Sequence, residues 1–260
     1  MSTTRPQVVA SFAATQALAD PALAARATEL LGDEERKTLA RLRPATARRD
    51  YLAAHALART ILAHCTGQPP SHIRLRSTAL GQPVVTAPRA ARQLSVSLSH
   101  ADGMALCAVS IGCVVGVDVE SINNIGPRPM DAARVICSRR ELNALKLLRG
   151  PARALRLLSI WTIKEAIAKA TGLGFHLPLV RIAVRVDRGG ALGVGFDDQA
   201  IATQGVRLAS ARLSPSHVAT IAVLGAPGAL TIRIGNVDWM LSRESPESEA
   251  PAQAPRLLAV

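Results

Sequence analysis

The sequence contains few aromatic residues and few cysteines, and each shortage argues against a class of protein. Aromatic residues make up only 2% of the chain, so the stacking platforms used to bind single-stranded nucleic acid are scarce. The cysteines form neither a CxxC pair nor a cysteine–histidine ladder, which argues against a structural zinc site and a disulfide scaffold. They are Cys65, Cys107, Cys113 and Cys137. This usage fits a reducing cytosol.

Long apolar runs are also missing. Arginine or glycine interrupts each run well before the ~20 residues that a membrane span requires. The first six residues, Met-Ser-Thr-Thr-Arg-Pro, lack the basic stretch followed by an apolar stretch that marks a secretory signal. We therefore expect a cytoplasmic protein without a membrane partner.

The chain does have a sizeable apolar fraction and an excess of positive charge. Apolar residues make up 48% of the 260 residues and charged residues 19%, which predicts a folded protein. The net charge of +12 indicates an anionic partner. Duplex DNA, a phosphorylated ligand and an acidic protein all remain open at this point. Only four of the 31 basic residues are lysines.

Helix and strand patterns follow each other in a similar order in the two halves. Residues 45–65 and 152–170 have helical periodicity, and an alternating strand pattern follows each helix. A Ser-His pair at Ser99-His100 and at Ser216-His217 precedes an apolar strand in each half. Chance could produce such a repeat from small apolar words, but a true repeat predicts two α+β lobes.

The domain boundaries follow from this repeat. We expect an N-terminal lobe over residues 1–112 and a C-terminal lobe over residues 113–226. Residues 227–260 are expected to form a C-terminal extension. Its end is rich in serine, proline, glutamate and alanine, so we predict that the extension is partly disordered.

Two carboxylates stand out in the strand pattern Val-Gly-Val-Asp-Val-Glu at Val115–Glu120. Asp118 and Glu120 are two residues apart, so they project from the same face, with backbones about 7 Å apart. Two like charges on one face repel, and a divalent cation relieves that repulsion. Oxygen ligands favour Mg²⁺. The alternative is an amphipathic strand with a solvated acidic face.

A second charged segment is Trp-Thr-Ile-Lys-Glu-Ala-Ile-Ala-Lys at Trp161–Lys169. On a helix, Trp161, Glu165 and Lys169 form one stripe because they are four residues apart. An ordinary surface ion pair between Glu165 and Lys169 would explain the spacing. However, two of the four lysines lie here, which favours a role for a compact ammonium group. Glu165 would then complete the site that Asp118 and Glu120 begin.

Together, the two segments resemble the 4′-phosphopantetheinyl transferase superfamily. Its signature is (V/I)G(V/I)D followed at a distance by (F/W)(S/C/T)xKE(A/S)xxK, and both parts match here without a mismatch. Three further features resemble the larger, surfactin-synthetase-activator (Sfp-type) branch: the Arg49–Arg59 helix, the GxP turn at Gly81–Pro83 and the Ser-Leu-Ser-His segment that ends at His100. The resemblance covers about residues 33–224. It implies an α+β fold of two lobes related by a pseudo-twofold axis, each with helices packed on a small antiparallel sheet.

The resemblance also implies a reaction. Members of the family transfer the 4′-phosphopantetheine arm of coenzyme A to a serine of an acyl or peptidyl carrier protein and release 3′,5′-ADP, as holo-[acyl-carrier-protein] synthases do. By position, Asp118, Glu120 and Glu165 would bind Mg²⁺, with Mn²⁺ as an alternative ion. Glu165 and Lys169 would be the catalytic residues, Glu165 as a base toward the serine and Lys169 at the phosphate under attack.

The same resemblance implies the partners and the remaining site residues. The partners would be coenzyme A and an acidic carrier protein, with no nucleic acid and no membrane, and the protein would be a monomer. Five residues would contact coenzyme A: His100, Ser99, Gln82, Arg49 and Lys164.

The sequence departs from the family at the phosphate contacts of the first lobe. Gln82 stands where many members have a lysine in the GxP turn, and Glu35 and Thr38 fall near the places of lysines that bind the 3′-phosphate. Glu141 is either a further acidic residue of the active site or a helix-surface charge. The alternative functions are a catalytically inactive coenzyme A-binding relative and a basic module that binds nucleic acid.

Overall fold

A computed structural model describes residues 7–126, 128–186, 192–196, 205–226 and 231–236. The α-helices in these ranges are α1 (Pro21–Leu30), α2 (Asp33–Arg41), α3 (Ala45–Thr66), α4 (Pro129–Ile136), α5 (Arg139–Lys146) and α6 (Gly150–Thr171). The β-strands are β1 (Gln7–Ala14), β2 (Arg74–Ser77), β3 (Pro83–Ala87), β4 (Leu94–Ala101), β5 (Met104–Ile111), β6 (Val114–Ser121), β7 (Ile182–Val186), β8 (Leu192–Phe196), β9 (Val206–Arg212), β10 (His217–Leu224) and β11 (Thr231–Asn236). The chain divides into two compact units between Cys113 and Val114, and β11 belongs to the first unit.

The first unit is built on a four-stranded sheet with the order β11-β1-β5-β4. β5 pairs antiparallel with both of its neighbours, whereas β1 and β11 run parallel. The helix α3 packs on this sheet, and its Leu57 shares a hydrophobic core with Ala105, Cys107 and Val109 of β5. These three β5 residues alternate along the strand, so they cover one face of the sheet. That face is entirely apolar at these positions.

The second unit is built on a three-stranded antiparallel sheet with the order β6-β10-β9, accompanied by the β7–β8 hairpin. The helix α6 packs on this sheet. Its Ile160, Ile163 and Ile167 share a hydrophobic core with Leu208 of β9 and Leu224 of β10. The shorter helices α4 and α5 pack on α6. The second unit therefore places one long helix against β6, the strand that carries Asp118 and Glu120.

Proline and glycine set the limits of α6. Pro151 lies in its first turn, where the missing amide hydrogen is tolerated. Gly172 ends the helix with a φ of 74°, a left-handed conformation that favours glycine. A second glycine, Gly116 of β6, determines how closely the helix approaches the sheet. A Cβ atom at this position would overlap the backbone atoms of Ala166 and Ala170.

The predicted α+β fold class is confirmed, with two differences in the first unit. The sequence patterns did not predict β1 or β11, and the parallel pair that these strands form makes the sheet mixed. The predicted disordered end of the chain lies outside the described residues. Within the described ranges, none of the helices combines the length and the hydropathy of a membrane span.

Candidate active site

The strand β6 directs its two carboxylates toward α6. Gly116, Asp118 and Glu120 alternate along the strand, so their side chains share one face. Gly116 contacts α6, which identifies this face as the one that the helix covers. Asp118 is only 4% exposed, and Glu120 is half-buried. The predicted pair on one strand face is present, but the face is buried against a helix rather than solvated.

The helix α6 contributes an ammonium group to this face. Lys169 Nζ lies 2.7 Å from Asp118 Oδ1, and Lys169 is 28% exposed at its side chain. Ala166 and Ala170, which touch Gly116, each follow one of the two predicted catalytic residues, Glu165 and Lys169. The close helix–strand contact therefore explains why Lys169 reaches Asp118. The ion pair between Lys169 and Asp118 joins the two motifs. A surface pair between Glu165 and Lys169 would lie within α6 and would not join them.

The three carboxylates interact electrostatically. Burial and the nearby charge of Asp118 raise the pKa of Glu120 to about 7, although Lys169 opposes this shift. Burial and the charge of Asp118 also raise the pKa of Glu165, again against the effect of Lys169. Burial is the larger cause in both cases, and the negative charge of Asp118 adds to it. The ammonium group of Lys169 acts on all three carboxylates at once, so an additional cation would be favoured.

Asp118, Glu120 and Glu165 all offer carboxylate oxygens, which are the ligands that a hard divalent cation prefers. However, the described residues contain no group of three His, Cys, Asp or Glu side chains arranged closely enough to bind a metal ion. Asp118 is paired with Lys169 instead. The residues present thus fit Mg²⁺ by chemistry, while the ligand set of Asp118, Glu120 and Glu165 stays a prediction.

The structure is inconsistent with one predicted coenzyme A contact. Lys164 is 0% exposed, and its Nζ donates hydrogen bonds of 2.7 Å to Glu141 Oε2 and to the carbonyl oxygen of Ile136. Its position on α6 turns it away from solvent, which the sequence spacing alone did not reveal. Its ammonium group therefore has protein partners and is not available to a ligand in this structure.

Glu141 is neither a helix-surface charge nor exposed in the site. It is 4% exposed and completes a capping box with Ser138 at the start of α5. Its Oε1 accepts a hydrogen bond from the Val184 amide, and its Oε2 accepts one from the Ser138 amide, both at 2.7 Å. With Lys164, these contacts satisfy both oxygens of the carboxylate.

The other predicted coenzyme A contacts lie in the first unit. Arg49 is on α3, and its Nε is buried without a hydrogen-bond partner among the described residues. Gln82 lies between β2 and β3, where its backbone pairs with Thr78. Ser99 and His100 are neighbours on β4, Ser99 buried and His100 exposed. These four residues therefore come from three separate parts of the first unit.

The sequence interpretation missed a buried charge cluster in the first unit. Glu35 Oε2 accepts hydrogen bonds from Arg59 Nε at 2.6 Å and from the Gly32 amide at 2.7 Å. His55 Nδ1 donates to Glu35 Oε1 at 2.8 Å. Glu35 and Arg59 are 24 residues apart on different helices, so no local pattern indicates the pair. The cluster explains how a glutamate is accommodated at a position where the resemblance suggested a phosphate-binding lysine.

Comparisons with known proteins agree with the two motifs. Residues 114–222 match the family model described as the 4′-phosphopantetheinyl transferase superfamily. The chain is 31% identical over 127 residues to the 4′-phosphopantetheinyl transferase HetI of Nostoc sp., which covers 49% of this chain and 53% of that protein. It is 26% identical over 147 residues to a Bacillus subtilis 4′-phosphopantetheinyl transferase, which covers 56% of this chain and 62% of that protein.

A longer match extends into the first unit. A phosphopantetheinyl transferase of Thraustochytrium sp. is 26% identical over 205 residues, which covers 74% of this chain and 70% of that protein. The chain thus spans about half to 70% of the length of these relatives. Residues 114–222 carry a domain of the 4′-phosphopantetheinyl transferase superfamily, as the two motifs predicted.

Proposed function

We propose that the protein is a 4′-phosphopantetheinyl transferase. It moves the 4′-phosphopantetheine arm of coenzyme A to a serine of an acyl or peptidyl carrier protein and releases 3′,5′-ADP. The observation that carries this proposal is the contact between the two motifs, the 2.7 Å pair of Lys169 and Asp118 within the segment that matches the superfamily. Phosphoryl transfer depends mainly on positioning and charge neutralisation, and this site offers both.

Glu165 and Lys169 are the proposed catalytic residues. The serine oxygen forms a bond to the phosphorus that carries the pantetheine arm, and the bond from that phosphorus to 3′,5′-ADP breaks. The serine proton passes to Glu165, whose raised pKa makes it a better proton acceptor than an exposed glutamate. Lys169 neutralises charge on the phosphate under attack, and its partial exposure supports access to that phosphate.

A divalent cation forms part of this proposal. Asp118, Glu120 and Glu165 would hold Mg²⁺, or Mn²⁺ in its place. When bound, the ion would neutralise the pyrophosphate charge of coenzyme A. Burial and the charge of Asp118 raise the pKa of Glu120 and of Glu165, and a cation among these side chains would stabilise their ionised forms.

Coenzyme A carries three phosphate groups, and arginines of the first unit are suited to bind phosphate. Arg43, Arg48 and Arg49 line a groove of about 360 Å³ together with apolar side chains. The buried Nε of Arg49 is a hydrogen-bond donor that a phosphate oxygen would satisfy. We therefore propose Arg49 as a coenzyme A contact, along with Gln82, Ser99 and His100. Lys164 is omitted from this set because it is buried.

The charge of the chain supports an acidic macromolecular partner. A net charge of +12 would attract an acidic carrier protein and increase its association rate. We propose that the enzyme works as a cytoplasmic monomer of the holo-[acyl-carrier-protein] synthase type, without a nucleic acid or membrane partner.

Mass spectrometry of candidate apo-carriers tests the proposed function. Each carrier is incubated with the protein, coenzyme A and Mg²⁺, and a matched sample contains excess EDTA. A mass gain equal to the phosphopantetheine arm on serine, absent with EDTA, is the expected result. Coenzyme A binding without transfer to any of the fatty acid, polyketide or peptide carriers would instead support the inactive-relative alternative.

A further inference from the structure

Lys164 has the largest volume among the fully buried side chains of the described residues. It lies next to Glu165 on α6, yet it faces the protein interior. Its ammonium group donates to Glu141 and to the last residue of α4, Ile136. The lysine of the motif is therefore part of the packing between helices.

Glu141 and Lys164 together connect four parts of the second unit. Its two oxygens accept hydrogen bonds from the Ser138 amide at the start of α5, from Lys164 of α6 and from the Val184 amide of β7. The Ile136 carbonyl adds the end of α4 through Lys164. We call the pair of Lys164 and Glu141 the buried hub. Each of these four contacts is 2.7 Å long.

Stability alone is a poor reason for such a pair. Removing two charges from water costs more than their attraction returns in many proteins, and well-packed apolar residues of similar size are often as stable. An ion pair differs from an apolar contact in that it is directional. It holds its two partners in one orientation, whereas apolar side chains can repack.

The orientation that the hub controls is the rotation of α6 about its axis. Successive helix residues are about 100° apart, so a rotation that moved Lys164 would move Glu165 and Lys169 by the same angle. On the sheet side, Gly116 allows close approach, and α6 makes two directional contacts, from Lys169 to Asp118 and from Thr162 to Thr220. The hub adds a directional contact on the side of α5.

We infer that Lys164 and Glu141 are positioning residues, which keep Glu165 and Lys169 of α6 turned toward Asp118. This inference rests on the proposed function for its catalytic consequence, but the orientation of α6 can be measured without it. Lys164 would therefore act on the reaction through the positions of Glu165 and Lys169 and not through the predicted contact with coenzyme A.

The test uses Lys164→Met, Glu141→Gln and the double variant, each in the full chain. Lys146→Met is the matched control, because Lys146 is an exposed lysine on α5 in the same unit. Trp161 reports the orientation of α6, since it lies on the stripe of Glu165 and Lys169 and is half-buried. A Trp239→Phe background leaves Trp161 as the single tryptophan.

We expect Lys164→Met to lower the kcat of transfer by about 100-fold, as a displacement near 1 Å can do. The Kd for coenzyme A should change less than about threefold, because both side chains of the hub are buried. The emission maximum and iodide quenching of Trp161 should change in Lys164→Met and Glu141→Gln but not in Lys146→Met. The double variant should lose about as much activity as the worse single variant, since both act through one contact.

Three results would overturn the inference. They are a weaker affinity for coenzyme A with unchanged kcat, multiplicative losses in the double variant, and lower thermal stability with both kcat and the Trp161 signal unchanged. If Lys164→Met does not fold, the milder Glu141→Gln decides by the same criteria. If the wild type transfers nothing to any carrier, the proposed function fails, and the Trp161 signal alone confirms or refutes the positioning role.

Discussion

The long helices α3 and α6 each bury a basic residue against a glutamate, yet they face different sheets. Arg59 of α3 pairs with Glu35, and Lys164 of α6 pairs with Glu141. Each glutamate also accepts a hydrogen bond from the backbone at the start of its own helix. The sheet faces differ, because β5 presents apolar side chains to the core, whereas β6 presents Asp118 and Glu120.

This comparison separates the features that both units share from the side chains of the candidate active site, which only the second unit has. A glutamate near the start of a short helix, paired with a basic residue of the long helix, occurs in both units. The pair therefore belongs to the architecture. Of the two strands compared, only β6 carries carboxylates on the face that the long helix covers. The candidate active site therefore differs from the matching part of the first unit mainly in the side chains of this strand.

Glu165→Gln should produce the largest effect on function. Removing the proposed base should lower transfer by about 10²–10⁴-fold, while the far-UV circular dichroism spectrum stays unchanged. Asp131→Asn is the matched control, because Asp131 is an exposed acid of the same unit. Near-normal transfer by Glu165→Gln in the mass-spectrometric assay would remove this residue from the catalytic role.

Arg59→Met should destabilise the first unit by about 3–5 kcal/mol, because it leaves the buried Glu35 without its main cationic partner. Urea unfolding followed by circular dichroism measures the loss. Lys37→Met, which breaks an exposed pair with Glu34, should change stability little. Equal effects of the two substitutions would mean that burial does not distinguish these ion pairs.

Gly116→Ala should destabilise the second unit by about 1–3 kcal/mol, because the added methyl group overlaps the backbone of α6. Gly193→Ala is the control, since a Cβ there meets only an ordinary contact with Arg185. Urea unfolding again measures both. A neutral Gly116→Ala would show that β6 and α6 can separate without cost, contrary to the close packing described above.

The smallest expected effect is a pH dependence in the first unit. Burial alone would raise the pKa of Glu35, but hydrogen bonds from His55 and the Gly32 amide and the charge of Arg59 outweigh it and lower the pKa. A lowered pKa contributes stability above the ordinary glutamate pKa, and this contribution is lost as the pH falls through the folded-state value.

Unfolding free energies between about pH 3 and pH 6 measure this contribution, a range that covers the ordinary glutamate pKa. They should rise with pH more steeply in the wild type than in Glu35→Gln. Parallel pH profiles of the two proteins would indicate that Glu35 keeps an ordinary pKa in the folded state.

The sequence was sufficient to predict β6 and α6, because period and spacing are local properties. The contact between their motifs joins residues 51 apart, and the resemblance to a family predicted it together with the fold class. The sequence could not predict that Lys164 is buried. Neighbouring residues of a helix face different surroundings, and the motif does not indicate which of Lys164 and Glu165 faces the protein interior. The partners of Glu35 and the parallel pairing of β1 with β11 depend on contacts between distant parts of the chain, which local patterns do not encode.

We propose that Asp118, Glu120 and Glu165 act together as one acidic site. Binding of Mn²⁺, followed by electron paramagnetic resonance with coenzyme A present, tests this proposal. We expect one ion bound per chain and an affinity at least about tenfold lower in Asp118→Asn and in Glu165→Gln, with the fold unchanged. Equal Mn²⁺ affinity in the wild type and both variants, or no binding by the wild type, would contradict it.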